Sequence, residues 1–174
     1  SDKKLLEGIS TVSNLILDSF QKGNKFLIAG NGGSAADSQH IAAEFVSRFY
    51  FDRPGLSAIA LTTDTSMLTA IGNDYGFENL FSRQIEAHGN KGDVFIGIST
   101  SGNSKNVIKA VEAAKDLGVK TVALCGKLGD LGGLCDYSLP VPSTSTPHIQ
   151  EAHICIGHMI CAIVEEKMFG DRKC

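Results

Sequence analysis

Phe26-Leu27-Ile28-Ala29 leads into Gly30-Asn31-Gly32-Gly33-Ser34 and then into Ala35-Ala36-Asp37-Ser38-Gln39-His40-Ile41-Ala42-Ala43-Glu44. The apolar run predicts a buried strand, the glycines a tight turn, and the alanine-rich segment a helix. A strand that feeds a helix through a glycine turn aims backbone N–H groups and the positive end of the helix dipole at whatever lies above the turn, which suits a phosphate. His40 and Glu44 are four residues apart, so they share one face of that helix. An anion cradle and a His/Glu pair thus lie on one continuous segment.

Further along, Val94-Phe95-Ile96-Gly97-Ile98 enters Ser99-Thr100-Ser101-Gly102-Asn103-Ser104 and a helix over residues 107–117, which repeats the same logic with hydroxyls in place of glycines. Other apolar runs predict strands over 25–29, 56–61, 121–124 and 137–141, the last an edge strand because Pro140 and Pro142 adjoin it. Helical periodicity predicts helices over 5–20, ended by Gly23, over 34–49, over 77–88 and over 148–169. A short helix over 67–71 is expected to stop at Gly72-Asn73-Asp74, and residues 128–135 form a loop or short helix. Strands that alternate with helices, read as continuous apolar runs and joined by short connections, give an α/β fold with a parallel sheet covered on both faces. Ligands of such folds sit beyond the carboxyl ends of the strands, where both polar turns lie. The two strand-turn-helix units differ too much to count as an internal repeat.

The chain has 174 residues, enough for one domain with a sizeable core. With 43% apolar and 20% charged residues and a net charge of −3, it reads as a globular protein without the basic surface that nucleic acid requires. The longest apolar stretch, residues 154–164, is too short to span a bilayer and is interrupted by His158. The five cysteines, Cys125, Cys135, Cys155, Cys161 and Cys174, show no Cys-x-x-Cys spacing and predict buried free thiols in a reducing compartment. The expectation is a cytoplasmic protein with neither a membrane nor a nucleic-acid partner.

Gly30-x-Gly32-x-x-Ala35 matches the outline of a dinucleotide-binding turn, but that reading wants an acidic residue at the end of the next strand, and Asp52 precedes it. The serine-rich loop offers hydroxyls and backbone donors at a helix start and has no P-loop lysine, so it suits a phosphate monoester and not a nucleoside triphosphate. The hydroxyls would also serve simply as helix caps. His158 interrupts the apolar run Ile154-Cys155-Ile156-Gly157, and a polar group there needs a partner, whether in the core or in a site. Gln150 stands eight residues before it, roughly 12 Å along a regular helix. The two reach one ion only if Gln150 sits in the first turn and leans inward. Glu151 and His153 compete for such a role, although helical spacing points them to other faces.

Gly30-Asn31-Gly32-Gly33-Ser34-Ala35-Ala36-Asp37, His40-Ile41-Ala42-Ala43-Glu44, Gly72-Asn73-Asp74-Tyr75-Gly76, Ser99-Thr100-Ser101-Gly102-Asn103-Ser104 and Ile149-Gln150-Glu151-x-His153-x4-His158 together resemble the phosphoheptose isomerases, a family of sugar isomerase (SIS) domain enzymes, over nearly the whole chain. The resemblance implies a single SIS domain over residues 1–174, with a five-stranded parallel sheet flanked by helices. It implies a homotetramer with active sites at subunit interfaces, to which the helices at 3–22 and 148–169 contribute contacts. The implied reaction converts D-sedoheptulose 7-phosphate to D-glycero-D-manno-heptose 7-phosphate through an enediol, the first step towards ADP-heptose and the heptose of lipopolysaccharide or capsule. By the same resemblance Zn²⁺ is held by His40, Glu44, Gln150 and His158. The sugar phosphate is met by Asn31, Gly32, Gly33, Ser34, Glu44, Arg48, Thr63, Asp74, Ser99, Thr100, Ser101, Ser104 and Gln150.

Glu44 is expected to act as the base and His158 as the acid or its partner. Carboxylates bound tightly to zinc are poorer bases, so the two roles of Glu44 compete. The chain departs from the family pattern at Pro147-His148, where many relatives carry an arginine before Ile-Gln-Glu. The alternative is a non-enzymatic SIS-domain module that binds a phosphosugar, or a protein such as a bacterial replication initiator. That module needs at most the serine loop and has no use for the His40, Glu44, Gln150 and His158 set.

Overall fold

In a computed structural model, residues 3–126 and 129–170 are described. Five strands, β1 (Phe26–Gly30), β2 (Ala58–Ala60), β3 (Val94–Ser99), β4 (Lys120–Cys125) and β5 (Tyr137–Pro140), form one sheet in the order β2-β1-β3-β4-β5. Every neighbouring pair is parallel. Pro140 sits on the edge strand, where a missing N–H costs no ladder bond.

Side chains alternate across a strand, and here each set meets a core. Phe26 and Ile28 of β1, with Ile96 and Ile98 of β3, face a layer made by α1 (Lys3–Gln21), α2 (Gly33–Val46) and α7 (Thr146–Phe169). Leu27, Ala29, Phe95 and Ala123 face α4 (Ser82–His88), α5 (Lys105–Asp116) and the short α6 (Asp130–Leu134) on the other side. Burial on both faces is why these strands read as unbroken apolar runs.

The helix boundaries move where side chains outvote local periodicity. Helix α2 stops at Val46 instead of continuing to residue 49, because the Arg53 guanidinium takes the carbonyls of Glu44, Phe45 and Ser47. Helix α3 (Thr65–Asp74) starts from an Asp64 cap and runs through Gly72-Asn73-Asp74 instead of stopping there. The helix expected over 77–88 splits into a 3-10 turn (Phe77–Asn79) and α4, with Lys109 gripping Glu78 and Asn79 from α5. Phe77 is 64% exposed, so it does not share the buried face of Leu80, Phe81 and Ile85.

Cys125 and Cys161 are buried free thiols as expected, whereas Cys155 is exposed on α7 and Cys135 half-buried. Cys174 and Leu128 lie outside the described residues. Among the described residues, no helix is long and apolar enough to cross a membrane.

Candidate active site

The carboxyl ends of β1 and β3 open into the two polar turns, and α2 and α7 cross beside them. Gly157 sets how closely these helices approach: a Cβ added there would lie 2.5 Å from Ile41 Cδ1, so only the bare backbone lets α7 sit on α2. The close crossing brings three polar side chains together. His40 Nε2 lies 2.8 Å from His158 Nε2 and 3.3 Å from Glu44 Oε1. The two rings meet edge to face with centroids 5.0 Å apart. One donor atom from each of the three residues falls within 4.8 Å of the others.

Two imidazole nitrogens and a carboxylate oxygen converging in this way are the borderline ligand set that Zn²⁺ prefers, and the residues fit such an ion. Imidazole nitrogens this close also require opposite roles, one ring donating its proton and the other accepting it. His40 and Glu44 remain partly open to solvent, with side chains 47% and 22% exposed, so a substrate can reach them.

Gln150 reaches α2 from α7. Its amide presses on Gly33 at the head of α2, where any Cβ would collide with it. Gly33 lies seven residues before His40, two turns back on the same face of α2. The glycine turn therefore accommodates a side chain from the far end of the chain.

The second turn is a hydroxyl network. Ser99 Oγ lies 2.9 Å from Ser104 Oγ and 3.4 Å from Ser101 Oγ, and it accepts the Gly102 N–H at 3.1 Å. Ser101 Oγ accepts the Asn103 N–H at 3.2 Å. No side chain caps α2 or α5, whose caps are Gly32 and Ser104; the Ser34, Ala35 and Val107 N–H groups bond back to the carbonyls of Asn31, Gly32 and Ser104. Asn31 and Asn106 exchange two amide hydrogen bonds, at 2.9 and 2.8 Å, and tie the first turn to α5. A cavity of about 480 Å³ lies here, lined by Asn31, Ser104, Asn106, Phe77, Glu78 and Lys105. Beside it, Thr100 and Ser101 line a second cavity of about 260 Å³ with Ser143, Thr144 and Thr146.

Ser34 is buried at the start of α2, whereas Gly32 and Gly33 are exposed. Arg48 and Thr63 are exposed on connecting segments and Asp74 at the end of α3; Thr63 bonds back to the Ala60 carbonyl and Asp74 accepts from Asn73. Glu151 is exposed, and His153 is fully buried with neither ring nitrogen in hydrogen-bond geometry. Burial lowers the His153 pKa, opposed by the nearby Cys125 carbonyl.

Sequence reasoning missed Asn106 and Asp37. An asparagine inside an ordinary amphipathic helix carries no local signal. Asp37 lies three residues before His40 on α2, with a buried carboxylate oxygen that has no partner. Burial raises its pKa and the neighbouring His40 lowers it.

An α/β domain with a hydroxyl-lined cleft and a His-Glu-His cluster beside the carboxyl ends of its strands has the outline of a sugar-phosphate enzyme. The SIS domain family model matches residues 2–126. Phosphoheptose isomerase 2 of Campylobacter jejuni is 64% identical over 170 residues, covering 97% of this chain and 85% of that protein. The phosphoheptose isomerase of Aneurinibacillus thermoaerophilus is 62% identical over 173 residues, 99% of this chain and 87% of that one. The solved phosphoheptose isomerase of Neisseria gonorrhoeae superposes with a TM-score of 0.89 at 46% identity, covering 95% of this chain and 89% of that chain. The chain belongs to the SIS-domain family and, within it, to the phosphoheptose isomerases, which are aldose–ketose isomerases.

Proposed function

We propose that this chain converts D-sedoheptulose 7-phosphate to D-glycero-D-manno-heptose 7-phosphate, supplying heptose biosynthesis, and that it does so with Zn²⁺. The observation that carries the reading is the convergence of His40, Glu44 and His158 beside a cleft equipped for a phosphate. Binding modules have no use for that trio.

The serine loop, with Ser34 and the amino ends of α2 and α5, receives the phosphate. Asn31 and the glycine turn hold the sugar chain, and Arg48, Thr63 and Asp74 meet it from the rim. Isomerisation removes a proton from C1, forms a cis-enediol and returns a proton to C2. Glu44 is the base that carries this proton on one face of the sugar. His158 is the acid or its partner: through the ring nitrogen that does not face His40, it gives a proton to the C2 oxygen and takes one from the C1 oxygen.

His40, Glu44 and His158 would hold Zn²⁺, with Gln150 as the fourth ligand by leaning in from the early turns of α7. When bound, the ion supplies a Lewis acid that polarises the carbonyl and holds enediolate charge. The two oxygens of the Glu44 carboxylate can divide the ligand and base roles. A homotetramer fits the exposed Leu6 of α1 and the exposed Val46, Tyr50, Tyr75 and Phe77, apolar surface that other copies would cover. One domain over residues 1–174, with α1 and α7 at subunit contacts, and a cytoplasmic site of action complete the reading.

Purified protein should release close to one zinc per chain and should isomerise sedoheptulose 7-phosphate. A chelator should abolish turnover and added Zn²⁺ restore it. Full activity in metal-free protein would sink the zinc assignment, and no turnover with zinc bound would sink the isomerase.

A further inference from the structure

Arg53 and Glu165 are distant in sequence and take no part in the chemistry above, yet they form the most enclosed ion pair of the described residues. Arg53 Nε lies 3.0 Å from Glu165 Oε1, with the side chains 2% and 1% exposed. The rest of the guanidinium grips the end of α2. Nη2 donates to the Glu44 carbonyl at 2.8 Å, and Nη1 donates to Phe45 at 2.6 Å and Ser47 at 3.1 Å. This is the end of a helix where a cation is favoured.

Glu165 in turn accepts the N–H groups of Phe49 at 2.8 Å and Tyr50 at 2.7 Å. Burial pushes its carboxyl pKa up, but those two N–H groups and Arg53 outweigh it and hold the group below its usual range. The short segment thus clamped carries Arg48, and its Phe49 ring packs on His158 with centroids 5.5 Å apart.

The placement is specific. Glu165 stands seven residues beyond His158, two helical turns, on the same face of α7. Arg53 holds the backbone of Glu44 itself. Gln150 meets α2 at Gly33 and Gly157 meets it at Ile41, and the pair adds a junction at the far end of α2, so the crossing is held along its whole length.

We propose that Arg53 and Glu165 are positioning residues for the isomerase: their ion pair sets the spacing between His40 and Glu44 on α2 and His158 on α7. By the same contacts it presses Phe49 against the His158 ring. The inference rests on the isomerase reading above and concerns residues that neither substrate nor metal touches.

The test compares wild type with Glu165→Gln and the charge-conserving Arg53→Lys, and with Asp93→Asn. Asp93→Asn breaks the pair Lys25–Asp93 (2.6 Å), whose carboxylate is buried at the amino ends of β1 and β3. Zinc affinity is read on metal-stripped protein by competition with a chromophoric chelator, and kcat and KM on the reloaded protein.

Both clamp variants should lose about tenfold or more in zinc affinity and in kcat, the usual effect of removing a group that orients a ligand. KM should stay within about threefold, which places the loss in the reacting geometry and not in sugar binding. Asp93→Asn should lower the melting temperature and leave zinc affinity unchanged. Folded clamp variants with wild-type affinity and kcat overturn the proposal, as does an equal loss of affinity in Asp93→Asn. Arg53→Lys decides the matter if Glu165→Gln does not fold. Wild type that neither binds zinc nor turns over overturns the isomerase reading itself, and the positioning role with it.

Discussion

The turn after β1 and the turn after β3 do the same job by opposite means. Each leads from a buried strand into a helix at the carboxyl end of the sheet, and the two are tied by the paired amides of Asn31 and Asn106. The first is bare backbone, and its openness lets Gln150 reach in from α7. The second is filled by its own hydroxyls, with Ser99, Ser101 and Ser104 bonded to one another and to the loop backbone. Glycine makes room for other parts of the protein, while serine builds a finished cup. A phosphate, which is the same in every substrate of its kind, suits the finished cup. Proton transfer, which needs groups from several elements, suits the open turn and the helix behind it.

The contrast breaks most sharply at Glu44 and Ser101. Glu44→Gln should cost about a thousandfold in kcat, as removal of a positioned base does, with the melting temperature unchanged. Ser101→Ala should leave kcat near wild type and raise KM about tenfold, the worth of one hydrogen bond to a charged group. Steady-state kinetics on sedoheptulose 7-phosphate would show it; a kcat loss in Ser101→Ala comparable to that of Glu44→Gln would erase the division of labour.

Gly157→Ala is the next test. It puts a Cβ into Ile41 and should cost about 1–3 kcal/mol in denaturant unfolding, together with weaker zinc binding as α7 is pushed off α2. A stability loss with zinc binding intact would show that the crossing tolerates more than the static contact allows.

The smallest effect concerns His153, buried beside the end of β4. Its folded pKa is lowered from 6.5, so the unfolded chain takes up the proton first and stability falls as pH drops below 6.5. The slope attributable to it should approach about 1.4 kcal/mol per pH unit while only the unfolded state is protonated. In thermal melts from pH 7 to pH 5, His153→Leu should flatten that limb, and an unchanged slope would remove His153 as its source.

Both turns were legible in the sequence because each is local: an apolar run, a break and a helical period lie within about twenty residues. His40 with Glu44 followed from helical spacing alone, and His158 from a polar group inside an apolar run. What the sequence concealed is non-local. Arg53 and Glu165 look like two ordinary surface charges until the fold buries them together. The end of α2 shifted for the same reason, since a side chain seven residues beyond Val46 supplies its cap. Gln150 could be placed on a helix, but only the crossing of α7 over α2 showed its amide resting on Gly33.

Helix α7 closes the layer that α1 and α2 begin, and His158 lies 118 residues beyond the His40 it touches. During synthesis β1, α2 and the serine loop are made long before α7 exists, and until α7 docks, the faces of Ile28, Ile41 and Ile98 wait uncovered. The site therefore cannot form on a chain that has not yet reached α7, and its appearance coincides with completion of the core layer.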